Sequence, residues 1–158
     1  KDRDIVQSLI NPVSIKQKND FSERLFAQRD KDACKQASIS IEDIDLMSGA
    51  EFEQFVCELF KKMGYIAYVT KTSGDQGIDV VAEKDSVKIG IQAKCYSGTV
   101  GNSAVQEAVA GKSFYMCNRI IVVTNNYFTK SAIELANANS VILWNRDILK
   151  EKIKSFIM

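Results

Sequence analysis

A nine-residue segment in which apolar and polar side chains alternate constrains the fold of this chain more than any other feature. One parity of residues 87–95 carries Val87, Ile89, Ile91, Ala93 and Cys95. The other parity carries Lys88, Gly90, Gln92 and Lys94. A β-strand points successive side chains to opposite faces of its sheet. The segment is therefore predicted to be a strand with one face on the core, while Gln92 and Lys94 project together from the opposite face.

A second predicted strand, residues 78–83, precedes the first one and is joined to it by a turn at residues 84–86. Asp79 has the parity opposite to the apolar side chains of this strand, so we expect Asp79 and Lys94 to be partly solvated on neighbouring strands. A carboxylate beside an amide oxygen and an ammonium group can bind a divalent metal and activate a water. Phosphodiester hydrolysis requires this combination.

The helix before these strands carries a further candidate. Ser48 and Glu51 form a capping-box pattern that predicts a helix beginning there and ending at Gly64. At about 100° per residue, Glu53 lies at the edge of the apolar stripe of this helix. Glu53 either leans over the sheet or is a solvated residue at the rim of the helix, and helix geometry leaves both alternatives open.

The remaining pattern predicts an α/β fold, a mixed sheet with helices on both faces. Further strands are predicted at residues 66–70, 120–124 and 141–144, and further helices at 104–115, 130–138 and 146–156. Residues 1–46, with a predicted helix at 21–37, are interpreted as a helical extension or connector, and residues 47–158 as the main domain. The chain begins with Lys1 rather than Met. We therefore expect a longer protein with a sensor, a DNA reader or a membrane anchor before it.

The amino-acid composition excludes several classes of catalytic mechanism. The chain contains no histidine, which excludes histidine bases, Ser-His-Asp and Cys-His catalysis, and zinc sites with imidazole ligands. The four cysteines have no Cys-x-x-Cys spacing and are expected to be buried thiols in a reducing compartment. No apolar run is long enough to predict a membrane span. The net charge of +1 predicts weak affinity of this chain alone for DNA.

An ordered series of motifs resembles the Mrr-type restriction endonuclease domain of the PD-(D/E)XK superfamily. The series covers residues 47 to about 149 and comprises MSGAEFE at 47–53, GY at 64–65, SGDQGIDV at 73–80, IQAKCY at 91–96, AVQE at 104–107, VVTN at 122–125, FTKSA at 128–132 and LW at 143–144. The resemblance implies a restriction-endonuclease-like fold, an αβββαβ core followed by a further α-β-α.

The resemblance also implies residue roles. The acidic catalytic position of the family falls on Asp79, its Gln-x-Lys pair on Gln92 and Lys94, its helix acid on Glu53, and a polar position of the next helix on Gln106. Asp79, Gln92, the carbonyl of Ala93 and Glu53 would bind Mg²⁺, for which Mn²⁺ can substitute. Lys94 would orient the attacking water and stabilise the transition state, and would act as a base only if its pKa were depressed.

The implied activity is metal-dependent endonucleolytic cleavage of DNA in bacterial defence, in the cytoplasm, with target recognition in another domain. A homo-oligomer is expected for cleavage of both strands. Two alternatives stay open: a domain of the same fold that binds nucleic acid or assembles without catalysis, and a repair nuclease for branched or damaged DNA.

Overall fold

The computed structural model describes residues 39–70 and 76–158. These residues form five helices and five strands. The helices are α1 (Ile41–Asp45), α2 (Gly49–Lys62), α3 (Asn102–Phe114), α4 (Lys130–Ala138) and α5 (Arg146–Phe156). The strands are β1 (Ile66–Val69), β2 (Val80–Lys84), β3 (Val87–Lys94), β4 (Arg119–Thr124) and β5 (Ile142–Trp144). The predicted helix at 21–37 lies outside the described residues.

The strands form one mixed sheet in the order β1-β2-β3-β4-β5. The first three strands are antiparallel neighbours, whereas β3, β4 and β5 run parallel to one another. Asp85 and Ser86 make the tight turn between β2 and β3, with φ of 50° and 62°. The predicted mixed α/β sheet is confirmed, and the parallel β4 is joined to β3 by the crossover helix α3, as parallel pairing requires.

Helices cover both faces of the sheet. On one face, Phe60 of α2 stacks on Trp144 of β5 with ring centroids 5.2 Å apart. On the other face, α3 and α4 form a buried cluster with Val81 and Val122 of the sheet. Since Trp144 pairs with Val123, the neighbour of Val122, the two sets of contacts lie on opposite faces. Every residue of β4 after Arg119 is buried for this reason.

The helix boundaries follow local hydrogen bonding. The predicted capping box at the start of α2 is confirmed, because Ser48 and Glu51 each accept from the other's backbone N–H. Gly64 ends this helix with φ of 90°, a conformation that glycine adopts without steric cost. No helix in the described part of the chain is long and apolar enough to cross a membrane.

Two expectations differ from the structure. The boundary placed between residues 46 and 47 cuts into the packed domain, because Ile39, Ile41 and Ile44 are buried. The predicted open face of β3 is covered, because it belongs to the buried cluster that α3 and α4 form with the sheet. A Cβ atom at Gly90 would lie 3.0 Å from the side chains of Ile78, Cys117 and Ile120. The polar parity of β3 therefore marks a buried site rather than a solvated surface.

Candidate active site

Asp79 is held at the point where β1, β2 and β3 meet. It comes immediately before β2, which begins at Val80, two residues later than predicted. Its N–H donates to the Ile91 carbonyl at 2.9 Å, and its carbonyl accepts from the N–H of Thr70 at 2.8 Å. Its side-chain Oδ2 accepts from the Ala93 N–H at 2.8 Å. Asp79 is only 5% exposed, so the expected partial solvation of this residue is wrong.

Gln92 lies across from Asp79, and its amide oxygen has no partner. The register pairs Val80 with Ile91, and one residue further along it places Asp79 opposite Gln92. Gln92 is 3% exposed, and its Oε1 is buried without a hydrogen bond. Burying an unpaired polar atom is costly. A native protein that keeps such an acceptor beside a carboxylate has the donor set of a site for a hard cation.

The donor set fits Mg²⁺ in chemistry, although it is poor in carboxylates. Among residues 39–70 and 76–158, no group of three or more histidine, cysteine, aspartate or glutamate side chains could hold a metal ion. Any metal site here would therefore depend on the neutral oxygens of Gln92 and Ala93 together with Asp79. Mg²⁺ accepts such a set, since it retains several waters and needs few protein ligands.

Lys94 ends β3 and reaches towards α3. Its Nζ lies 2.8 Å from Oε2 of Glu107, and the Lys94 side chain is 19% exposed. Burial of the ammonium acts to lower the pKa of Lys94, but the hydrogen bond and charge of Glu107, with smaller contributions from Tyr96 and Asp79, outweigh it. The pKa of Lys94 is therefore raised above its ordinary 10.5. This direction favours the charged ammonium over the neutral amine that a base would need.

The other two predicted side chains lie on α2 and α3. Glu53 is half-buried on α2, the helix that packs on β1, β2 and β3. Gln106 is exposed on α3, and it is the next residue, Glu107, that contacts Lys94. The functions assigned to Glu53 and Gln106 stay predictions.

The sequence analysis missed two residues, one that supports the start of β2 and one that supports the end of β3. The Oγ1 of Thr70 donates to the Ile78 carbonyl at 2.6 Å and fixes the chain just before Asp79. Glu107 holds the Lys94 ammonium, as described above. Nothing in the local pattern distinguishes Thr70 from any threonine at the end of a strand. Glu107 could be found only by knowing which turn of α3 lies over β3.

A third missed feature is a polar cluster beyond the end of β3. The Asn125 side chain accepts from the Tyr96 N–H and donates to Asp45, both at 2.9 Å. The Arg146 guanidinium binds both oxygens of Asp45, at 2.7 and 2.9 Å, and this hydrogen bond holds the pKa of Asp45 below its usual value. The cluster ties the segment after Lys94 to α1, β4 and α5. Its one sequence signal is a polar residue directly after a buried parallel strand.

The three cysteines in the described part of the chain are poor candidates for reactive groups of this site. Cys57 and Cys117 are buried, as expected, and Cys95 is half-buried, with its Sγ 3.4 Å from the carbonyl oxygen of Met47. Burial raises the pKa of all three thiols, which disfavours the nucleophilic thiolate. Cys34 lies outside the described residues.

Comparisons with solved structures give neighbours that are similar in fold. A DNA modification-dependent restriction endonuclease, AspBHI, is similar in structure with a TM-score of 0.60 and 19% identity, over 75% of this chain and 35% of that chain. A protein of unknown function, AF1548, is similar with a TM-score of 0.53 and 19% identity, over 63% of each chain. The restriction endonuclease MspJI, in complex with a 27-mer oligonucleotide, gives a TM-score of 0.48 and 19% identity, over 75% of this chain and 34% of that chain.

The chain thus spans less than two thirds of each of these proteins, and at this identity the similarity to AspBHI and AF1548 establishes the fold alone. No curated protein matches the sequence. The sequence model of the Mrr catalytic domain, described as a restriction endonuclease, matches residues 44–153, which is well over half of the chain and includes every motif that carried the resemblance. The chain belongs to the Mrr-type family of restriction endonuclease domains.

Proposed function

We propose that this domain hydrolyses phosphodiester bonds of DNA in a reaction that depends on Mg²⁺. The observation that carries the proposal is the buried, unpartnered Oε1 of Gln92 across the strands from Asp79. Membership of a restriction endonuclease family supports nuclease activity on DNA. The metal dependence rests on the donor set itself, because an orphaned amide oxygen beside a carboxylate suits a hard cation.

Asp79 supplies the principal anionic ligand, Gln92 and the carbonyl of Ala93 supply neutral oxygens, and Glu53 binds directly or through water. Mn²⁺ can take the place of Mg²⁺, since it accepts the same oxygen ligands. When bound, the ion withdraws charge from the phosphate and lowers the pKa of a coordinated water. The hydrogen bond from the Ala93 N–H fixes the Asp79 carboxylate, so little reorganisation is needed at the moment of reaction.

Lys94 acts through its charge. Its ammonium is mostly buried and remains protonated at neutral pH. From this position it orients the attacking water and stabilises the negative charge that develops on the phosphate, an interaction strengthened where bulk water is excluded. Gln106, exposed one residue before Glu107 on α3, is assigned to the same site as a polar group that contacts the DNA.

We place the activity in bacterial defence against foreign DNA, in the cytoplasm, with a homo-oligomer cutting both strands. Recognition of the target belongs to a part of the protein other than this domain. In support, AspBHI is a modification-dependent restriction endonuclease, and the similarity covers only 35% of its chain. The net charge of +1 also supports a separate recognition element, because it provides little electrostatic affinity for DNA.

The test is cleavage of supercoiled plasmid by the whole chain in Mg²⁺, Mn²⁺, Ca²⁺ or EDTA. Mg²⁺ and Mn²⁺ should support cleavage, whereas Ca²⁺ should bind without turnover because it is larger and looser in geometry. Lys94→Ala should lower the rate by about 10²-fold or more. The matched control is Lys61→Ala, because Lys61 has a similar ion pair, 2.7 Å from Glu58, on an exposed turn of α2.

Each contrary result has a definite meaning. Cleavage that persists in EDTA removes the metal mechanism. Binding of DNA without cleavage in any metal favours the non-catalytic alternative. A strong preference for junctions or damaged duplex over intact plasmid favours a repair nuclease. Equal activity of Lys94→Ala and Lys61→Ala shows that Lys94 is structural.

A further inference from the structure

Glu107, an acid outside the set of residues expected from the sequence, contacts Lys94 directly. Its carboxylate lies 2.8 Å from the Lys94 ammonium, and the Glu107 side chain is 46% exposed whereas the Lys94 side chain is 19% exposed. A lysine side chain has four rotatable bonds and loses much rotamer freedom when it is held in one place. A restraint on the Lys94 ammonium is therefore needed if it is to act at a defined point.

The backbone of Glu107 is fixed against the segment that leads to Asp79. Gly77 has φ of 80°, and a Cβ atom there would lie only 2.0 Å from the carbonyl oxygen of Glu107. One turn later, a Cβ atom at Gly111 would lie 2.4 Å from the carbonyl oxygen of Gln76. The loop and α3 therefore meet backbone to backbone, without room for a side chain between them.

Glu107 thus touches both halves of the site, the loop before Asp79 through its backbone and Lys94 through its carboxylate. Asp79 is itself bound to the N–H of Ala93, the residue next to Lys94. If the Glu107 carboxylate were removed, the Lys94 ammonium could turn towards Asp79, whose charge already acts on it. An ammonium that moved onto Asp79 would compete with a cation for the same carboxylate and would leave the position from which it can act on the phosphate.

We propose that Glu107 is a positioning residue that holds the Lys94 ammonium off Asp79 and orients it for the reaction. The proposal rests on the proposed function, because it assigns Glu107 a role in that same site. Glu107→Ala removes the restraint, whereas Glu107→Gln keeps an oxygen that can accept from Lys94 and should preserve part of it. Glu58→Ala is the matched control, since Glu58 forms a comparable 2.7 Å pair with Lys61 on α2.

The first measurement reads the side chain of Lys94 and does not need cleavage. In the whole chain labelled with ¹³C-lysine, the two ε-methylene protons of Lys94 should have distinct NMR shifts, assigned with Lys94→Arg. They should merge in Glu107→Ala and stay distinct in Glu107→Gln and Glu58→Ala. Merged signals in the wild type, or distinct signals in Glu107→Ala, would overturn the proposal.

The second measurement is steady-state DNA cleavage in Mg²⁺. Glu107→Ala should lower kcat by about 10–100-fold, the order expected for a misplaced reacting group, while KM for DNA changes by less than about twofold. Glu107→Gln should fall between the wild type and Glu107→Ala. An unchanged or increased kcat contradicts positioning, and an increase in KM alone assigns Glu107 to DNA binding instead.

These results separate the two proposals. If the wild type cleaves DNA and Glu107→Ala cleaves it equally well, the role of Glu107 is wrong and the nuclease stands. If the wild type fails to cleave in any metal, the nuclease proposal falls. The NMR signals of Lys94 then still decide whether Glu107 restrains it.

Discussion

Replacing Gln92 by methionine should make the metal-free protein more stable and abolish its activity. The Gln92 amide oxygen is buried without a hydrogen bond, and such an atom costs about 1–3 kcal/mol. Methionine has a similar length and adapts to irregular packing, so it fills the space without an unpaired oxygen. At about 2–4 °C per kcal/mol for a chain of this size, Gln92→Met should raise the melting temperature in EDTA by several degrees.

The assay is urea unfolding and thermal melting in EDTA, repeated in Mg²⁺. Binding of the ion should stabilise the wild type and leave Gln92→Met nearly unchanged. The matched control is Thr70→Val, which removes a buried hydroxyl that does have a partner, the Ile78 carbonyl at 2.6 Å. That variant should lose stability, by about 0.5–1.5 kcal/mol. The reasoning fails if Gln92→Met is destabilised in EDTA, or if it cleaves DNA at the rate of the wild type.

Three further predictions follow from burial and charge. Asp79→Asn keeps an acceptor for the Ala93 N–H, so its rate of DNA cleavage should fall by at least about 10²-fold with little change in melting temperature. Asp79→Ala, measured in the same plasmid assay and thermal melt, should also lose about 1–3 kcal/mol of stability, because that buried N–H is left unpaired. Ile44→Ala should lower the free energy of unfolding in urea by about 2–5 kcal/mol. Leu46→Ala removes a side chain that is 86% exposed and should lower it by less than about 0.5 kcal/mol. Equal losses would show that α1 is not part of the domain. Arg146 holds the pKa of Asp45 below its ordinary 3.8. In urea titrations at a series of pH values, the stability difference between wild type and Asp45→Asn should therefore be full above a pH of about 5 and should disappear as the pH falls through the lowered pKa. A difference that does not vary with pH would contradict the ion pair.

Much of the fold was predictable because its signals are local. The capping box at Ser48 and the glycine at residue 64 fix the ends of α2 through hydrogen bonds and backbone conformation within one turn. The alternation along residues 87–95 fixes β3 as a strand. Such features depend on residues three or four positions apart, and they were assigned correctly to within one or two residues.

What could not be predicted depends on contacts between distant segments. The polar parity of β3 resembled a solvated face, but α3 covers it, and Asp79 and Gln92 are buried as a result. Ile44 and Asp45 looked like part of a connector because their partners are far along the chain. The Arg146 side chain, for example, is 101 residues away from Asp45. Periodicity within a segment reports which side chains share a face, not what covers that face.

The position of a metal ion in crystals soaked with Mn²⁺ tests the central claim most directly. The anomalous signal of Mn²⁺ identifies the ion without reference to activity. One strong peak is expected at about 2.1 Å from an Asp79 carboxylate oxygen and from Oε1 of Gln92, and no peak is expected at that point in Asp79→Asn. An ion bound elsewhere, or a Gln92 amide that stays unliganded in a protein that cleaves DNA, would contradict it.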